Sequence, residues 1–178
     1  DIRITGSSSL NSDAAVNAEI LDMVDKAFAE LQGCGLRVHD YGNTKAHVLN
    51  HAYHGLQGSY AFLLEARGIA LIKSDNYQRR VFSQFAAVRS LVDYTVKNSE
   101  AMHKKVSDFR AATVEQGKTY EESDILAIYT TKSGELNRTV ARPSFNLDGS
   151  YKDKDRTETF GIYDTVSISR PAPTAYLL

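Results

Sequence analysis

The chain has a single cysteine, Cys34, among 178 residues. No internal disulfide can form, and cysteine usage leaves the redox compartment open. Cys34 reads as a small buried or half-buried residue. Long apolar runs are missing too: none approaches the roughly 18 residues of a membrane span, and no basic-then-apolar leader opens the chain. Charge of one sign is scarce, with a formal net charge of -1 and no Lys/Arg-rich run. That removes the field that draws in nucleic acid or an anionic membrane surface. Internal repeats and low-complexity tracts are absent as well. What remains is 42% hydrophobic and 24% charged residues, close to soluble-domain averages, so disorder, collagen and coiled coil are poor readings. This length buries a full core as one domain, or as one domain plus an appendage. The chain starts at Asp1 and stops on the apolar Tyr176-Leu177-Leu178, an ending expected of a piece cut from something longer.

Val16, Ile20, Val24, Ala27, Phe28 and Leu31 recur at helical spacing. Asn11, Ser12 and Asp13 supply start signals and Gly33 and Gly35 supply stops, which predicts an amphipathic helix. Leu36 to Tyr41 alternates as a half-buried strand does, until Gly42 to Lys45 breaks it. The apolar run from Ser59 to Leu64, between Gly58 and Gly68, predicts a buried central strand that delivers Glu65 at its end. A second helix, capped by Asp75 or Asn76, is expected to bury Val81, Phe85, Val88, Leu91 or Val92, and Val96 in the core. Met102, Val106, Phe109 and Thr113 keep the spacing up to Gly117, which is long for one helix, so a bend is expected near Asn98. Beyond Glu122 the pattern turns to strands around 125–129, 139–140, 157–160 and 165–168, with Gly134 and Asp148-Gly149 as turn signals. The fold class expected is α/β: part of a mixed sheet layered by helices over residues 1–118, then a small β-rich appendage over 119–178.

In such sheets functional groups gather at the carboxyl ends of strands. Partial desolvation there suits a carboxylate such as Glu65 to take up and return protons. Arg67, two residues on, would share its side of the strand and could pair with Glu65 or bind a substrate carboxylate. A structural ion pair at a strand end is the competing explanation. His47, His51 and His54 stand at i, i+4 and i+7, spacing that on a helix could gather three imidazoles around Zn²⁺. No carboxylate or cysteine completes that set, so surface or satisfied histidines are the simpler expectation. Arg79, Arg80 and Arg89 read as a solvated face or as partners of nearby acids. The alternating charges from Lys152 to Glu158 suit an exposed hairpin.

Two segments carry a resemblance. Gly55-Leu-Gln-Gly-Ser-Tyr-Ala-Phe-Leu-Leu-Glu-Ala-Arg-Gly-Ile69 and Gln78-Arg-Arg-Val-Phe-Ser-Gln-Phe-Ala-Ala87 resemble the bacterial branch of the zinc metallocarboxypeptidases, the carboxypeptidase A type. There a strand carries the catalytic glutamate in an (F/L)-x-E-x-R context and a long helix follows. Glu65 matches the glutamate and Arg67 the arginine. The ending Arg170-Pro-Ala-Pro-Thr-Ala-Tyr-Leu is similar to a segment of the β-rich extension of some members. The likeness covers about Asn11 to Asn98, and the tail loosely. It implies a carboxypeptidase-like fold and a hydrolase acting on peptide or protein C-termini. A zinc ion activates water in that chemistry, and Glu65 would move the water's proton to the leaving amine. Tyr41 and Tyr53 are candidates for the family's substrate-closing tyrosine.

The family's zinc ligands, a His-x-x-Glu pair and a distant His, are expected upstream of the glutamate. No histidine here has Glu at its third following position. Zinc is therefore expected in a longer parent enzyme and not in this chain, which alone would be inactive. A non-catalytic pseudo-peptidase or binding module, and a related zinc deacylase acting on small N-acyl compounds, are the alternatives. No nucleic-acid partner or membrane span is expected. The compartment is undetermined, with a periplasmic or secreted parent as one option, and a truncated sheet would favour association between copies.

Overall fold

Ile2 and Ile4 alternate with Arg3 and Thr5 along the first strand, β1 (Ile2–Gly6), which lies at the centre of a three-stranded sheet. The structure, a computed structural model, describes residues 1–40, 49–66, 77–119, 121, 125–140, 156–162 and 165–171. Helix α1 (Ala14–Gly33) follows, capped by Asp13, whose side chain accepts a hydrogen bond from the Val16 amide at 2.8 Å. Strand β2 (Val38–His39) lies parallel to β1, and β3 (Phe62–Ala66) antiparallel on its other side. Between them sits the short helix α2 (Asn50–Leu56). The long helix α3 (Tyr77–Lys118) follows β3.

The described part is thus mixed α/β, with a three-stranded mixed sheet and a long helix. One sheet face carries Ile2, Ile4, Val38, Phe62 and Leu64. They pack with Met23, Val24, Ala27 and Leu31 of α1 and with Ala87, Leu91 and Met102 of α3. Full burial of such side chains stabilises the fold by about 1.5–3 kcal/mol each. Gly6 permits the close approach of α1, because a Cβ there would lie 2.0 Å from Ile20 Cγ2. Gly58 has a φ of +71° and sits under the Phe109 ring, so it answers a backbone and a space requirement together.

Three expectations are corrected. The run 59–64 does not form the central strand: β3 is outermost among the described strands and half-buried throughout. Its apolar residues are used on one face, against the helices. The first half of α3 also turns its large side chains the wrong way. Val81, Phe85, Val88, Val92 and Val96 are exposed, while Ser83, Ala87, Ser90 and Leu91 are buried. Small side chains let the helix lie close to its neighbours, and close packing outweighs the burial of larger ones set further out. Cys34, expected to be buried or half-buried, closes α1 in an exposed turn. The bend forms where expected, at Asn98 (φ −118°, ψ 15°), whose amide donates to the Tyr94 carbonyl at 2.8 Å. Asp75 and Asn76 lie outside the described residues.

Four strands follow: β4 (Ile125–Thr131), β5 (Gly134–Val140), β6 (Arg156–Ile162) and β7 (Thr165–Pro171). β4 pairs with β7 and β5 with β6, both antiparallel. Ile125 faces Pro171, Thr131 faces Thr165, Gly134 faces Ile162 and Val140 faces Arg156. They form two two-stranded ribbons, and the register of the β4–β7 pair shifts around Tyr129. Gly134, expected in a turn, instead begins β5. Asp148 and Gly149 lie outside the described residues. The β4–β7 ribbon is tied to the α/β body by Asn11, whose amide nitrogen donates to the Ala127 carbonyl at 2.9 Å while its oxygen accepts from the Ala127 amide at 2.8 Å. No helix among the described residues is long and apolar enough to cross a membrane.

Candidate functional site

Residues in register on neighbouring strands share a sheet face. Arg3 stands opposite Glu65 on β3 and opposite His39 on β2. His39, Arg3 and Glu65 therefore form one row of ionisable side chains, on the face turned away from α1 and α3. Glu65 is half-buried, Arg3 exposed and His39 buried. The row sets a carboxylate across from a guanidinium, with an imidazole one strand further on. Leu63 and Thr5 extend the same face. Arg67 and Tyr41 lie outside the described residues.

Tyr53 lies on α2, 53% exposed, with its ring edge-on to His54 at a centroid distance of 5.8 Å. Its neighbourhood is solvent, which leaves it reachable but not fixed over a cleft by anything among the described residues. Residues 50–56, given no helix by periodicity, do form one. Its histidines diverge all the same: His51 is buried and His54 exposed. Burial holds the His51 imidazole below its ordinary value of 6.5, which favours the neutral form. His47 lies outside the described residues. Among the described residues no three His, Cys, Asp or Glu side chains come together in a way that could hold a metal ion.

A second cluster surrounds Glu19, on the inner side of α1. Its carboxylate accepts hydrogen bonds from the Tyr60 hydroxyl, the Tyr94 hydroxyl at 3.2 Å and Lys105 Nζ at 2.7 Å. Lys26 Nζ sits 5.3 Å from the centre of the Tyr94 ring. Burial opposes the charge on Glu19, yet the hydrogen bonds from Lys105 and Tyr60, with the Lys105 charge, outweigh it and hold the carboxyl below its ordinary value. Burial and the Glu19 carboxylate push the Tyr60 phenol up. The hydrogen bond to Glu19 raises the Lys105 ammonium in turn. The carboxylate is satisfied by donors from three directions, so the cluster works as a joint between α1, the approach to β3 and both halves of α3.

Asp1 makes a comparable tie. Its carboxylate accepts from Arg79 Nε and Nη2, both at 2.8 Å, and from the Arg37 amide at 2.8 Å. Arg79 Nη2 also donates to the Gly35 carbonyl at 2.7 Å. Arg89 pairs with Asp93 at 3.6 Å along α3. Both arginines thus meet acids.

No family model, curated protein or solved structure matches the chain. Arg3 and His39 went unnoticed in the sequence because they join Glu65 only through strand pairing. The alternation from Ile2 to Thr5 was the available signal. Glu19 had a signal too, as a carboxylate inside an otherwise apolar helix stripe, between Val16 and Met23.

Proposed function

We propose that this chain is the glutamate-bearing portion of a hydrolase of the zinc metallocarboxypeptidase type, with Glu65 as its general base. The observation that supports it is the setting of Glu65. It lies near the end of β3, half-buried on the face free of α1 and α3 and directly across from Arg3, and α3 comes next in the chain. In that role Glu65 removes a proton from a water attacking the peptide carbonyl. It then gives the proton to the departing amine as the C–N bond breaks and the new C–O bond stays. Arg3 places a positive charge beside the carboxylate, suited to holding the free C-terminus of a peptide. The described residues do not fit a zinc ion, since no ligand group assembles among them. Zinc enters this reading only with ligands from outside them.

The test is Glu65→Gln in the longest polypeptide that the gene encodes, assayed for release of C-terminal residues from peptides. A fall on the order of 10²–10⁴-fold in rate is expected for loss of a general base. An unchanged rate removes the assignment. Cleavage of small N-acyl compounds in place of peptides would move it to a related deacylase. The opposition of Arg3 and Glu65 also suits a cross-strand ion pair in a non-catalytic binding module. There, the same variant would lower the melting temperature, with no peptide release to lose.

A further inference from the structure

Helix α3 is attached to the body differently on the two sides of Asn98. Before the bend, Ser83, Ala87, Ser90 and Leu91 are buried toward α1 and the sheet, and Arg79 is tied to Asp1. Beyond it, over residues 99–118, Met102 is the only buried residue. The other ties there fall along one short line. Lys105 Nζ reaches the Glu19 carboxylate at 2.7 Å, the Phe109 ring lies over Gly58, and Arg110 Nε donates to the Gln57 carbonyl at 3.3 Å. Residues 111–118 are exposed throughout. Few buried apolar contacts put a segment at the low-stability end of a fold. This one also supports itself as a helix, through Lys104 with Asp108 at 2.5 Å and Lys118 with Glu115 at 3.1 Å, so it can leave the body without unravelling. The bend supplies a pivot. Asn98 departs from helical geometry, and its side chain donates to the Tyr94 carbonyl, the acceptor that the helical ladder assigns to the residue-98 amide.

We propose that α3 beyond Asn98 is a strap, a helical arm that swings about Asn98 between the closed position seen here and an open one, with the Lys105–Glu19 ion pair as its latch. Closed, the arm secures residues 57–60, the segment that leads into β3. Open, it releases Glu19 from Lys105 and Gly58 from Phe109. The donors around Glu19 make the pair a latch and not a fixed rivet. Tyr60 precedes β3 and Tyr94 precedes the bend, so both stay with the body and continue to donate to the carboxylate when Lys105 leaves. The Glu19 side chain is 10% exposed, and it keeps hydrogen bonds in either position. Lys105, 39% exposed, already borders solvent and exchanges the carboxylate for water. The body thus holds together with the arm lifted, and Met102 is the one buried side chain that opening uncovers on the arm.

Distances between spin labels, measured by double electron–electron resonance on the full 178-residue chain, test this. The labels go on exposed positions in a Cys34→Ser background. Ala29→Cys on α1 is paired with Val114→Cys on the arm and, separately, with Val88→Cys on α3 before the bend. The 29–88 pair should give one narrow distance. The 29–114 pair should give a second, separate distance as a minor population of about 10% or less. Lys105→Met should raise the ratio of that population to the closed one on the order of 10-fold, the effect of losing one charge-assisted hydrogen bond. Lys105→Arg keeps the ion pair and should hold the ratio near that of the parent. The far-UV circular dichroism spectrum should be the same in all three proteins, because an arm that swings stays helical. A single narrow 29–114 distance in all three overturns the proposal. So does a loss of helical signal in Lys105→Met, the mark of melting, and so does a 29–88 distance that spreads as much as 29–114. None of these readouts depends on catalysis, so the assignment of Glu65 stands or falls separately.

Discussion

Glu19 shows how one side chain can organise several elements. Removing its charge leaves Tyr60, Tyr94 and Lys105 facing a weaker acceptor. Glu19→Ala is therefore expected to cost about 2–4 kcal/mol, read as a lower denaturation midpoint at pH 7. Glu19 also sets the pH dependence. Its carboxyl is held below the ordinary 4.5, so its contribution is complete above that value and fades as pH falls further. Lys105 and Tyr60 lie above their ordinary 10.5 and 10.0, so theirs is complete below those values and fades as pH rises past them. His51, held below 6.5 by burial, adds a loss of stability as pH drops through that range. Urea titrations from pH 3 to 11 should show shoulders at both ends, with Glu19→Ala flattening the outer ones. At this scale the sequence named Glu65 but not its neighbours. An acid within an apolar helix stripe was visible, whereas Arg3 and His39 meet Glu65 only through strand pairing.

Among the elements, α3 was the most legible in extent and the least in orientation. Its span and the bend at Asn98 followed from spacing. The buried side did not, because two apolar faces compete there and close approach chose the one lined with serine and alanine. The strand stretches between 125 and 171 were visible as β-prone runs, but the pairing of β4 with β7 and of β5 with β6 depends on register, which composition does not carry. An isolated two-stranded ribbon is marginal in water, so its anchor matters. Asn11 imitates a strand backbone, offering a donor and an acceptor to Ala127. Asn11→Ala should raise amide exchange at Ala127 by about 10-fold, near 1 kcal/mol for the lost pair, with α1 and the sheet unchanged. Equal exchange in both proteins would show that the ribbon is secured elsewhere.

For the molecule as a whole, the mixed α/β character was legible and the order of the sheet was not. Residues 1–6 attracted no strand assignment, yet β1 is the strand on which both others depend. Its signal, two isoleucines spaced by one residue, is short, and only the helices packed on it give it weight. Among the described residues the buried cluster runs from Ile2 to Met102, with no member from β4 to β7. Deleting 122–178 should leave a single cooperative melt, shifted down by no more than about 4 °C. Loss of cooperativity would mean that the ribbons support the body through contacts other than Asn11.

The pairing of Asn11 with Ala127 also has a mechanical meaning. The seven residues of β4 make a strand about 20 Å long, held near its start by the Asn11 amide. A tilt of about 10° at that clamp carries the Thr131 end through roughly 2 Å, by the same rise per residue. Asn11 thus acts as the pivot of a lever, and the place its distant end reaches is decided beside the N-terminus of α1.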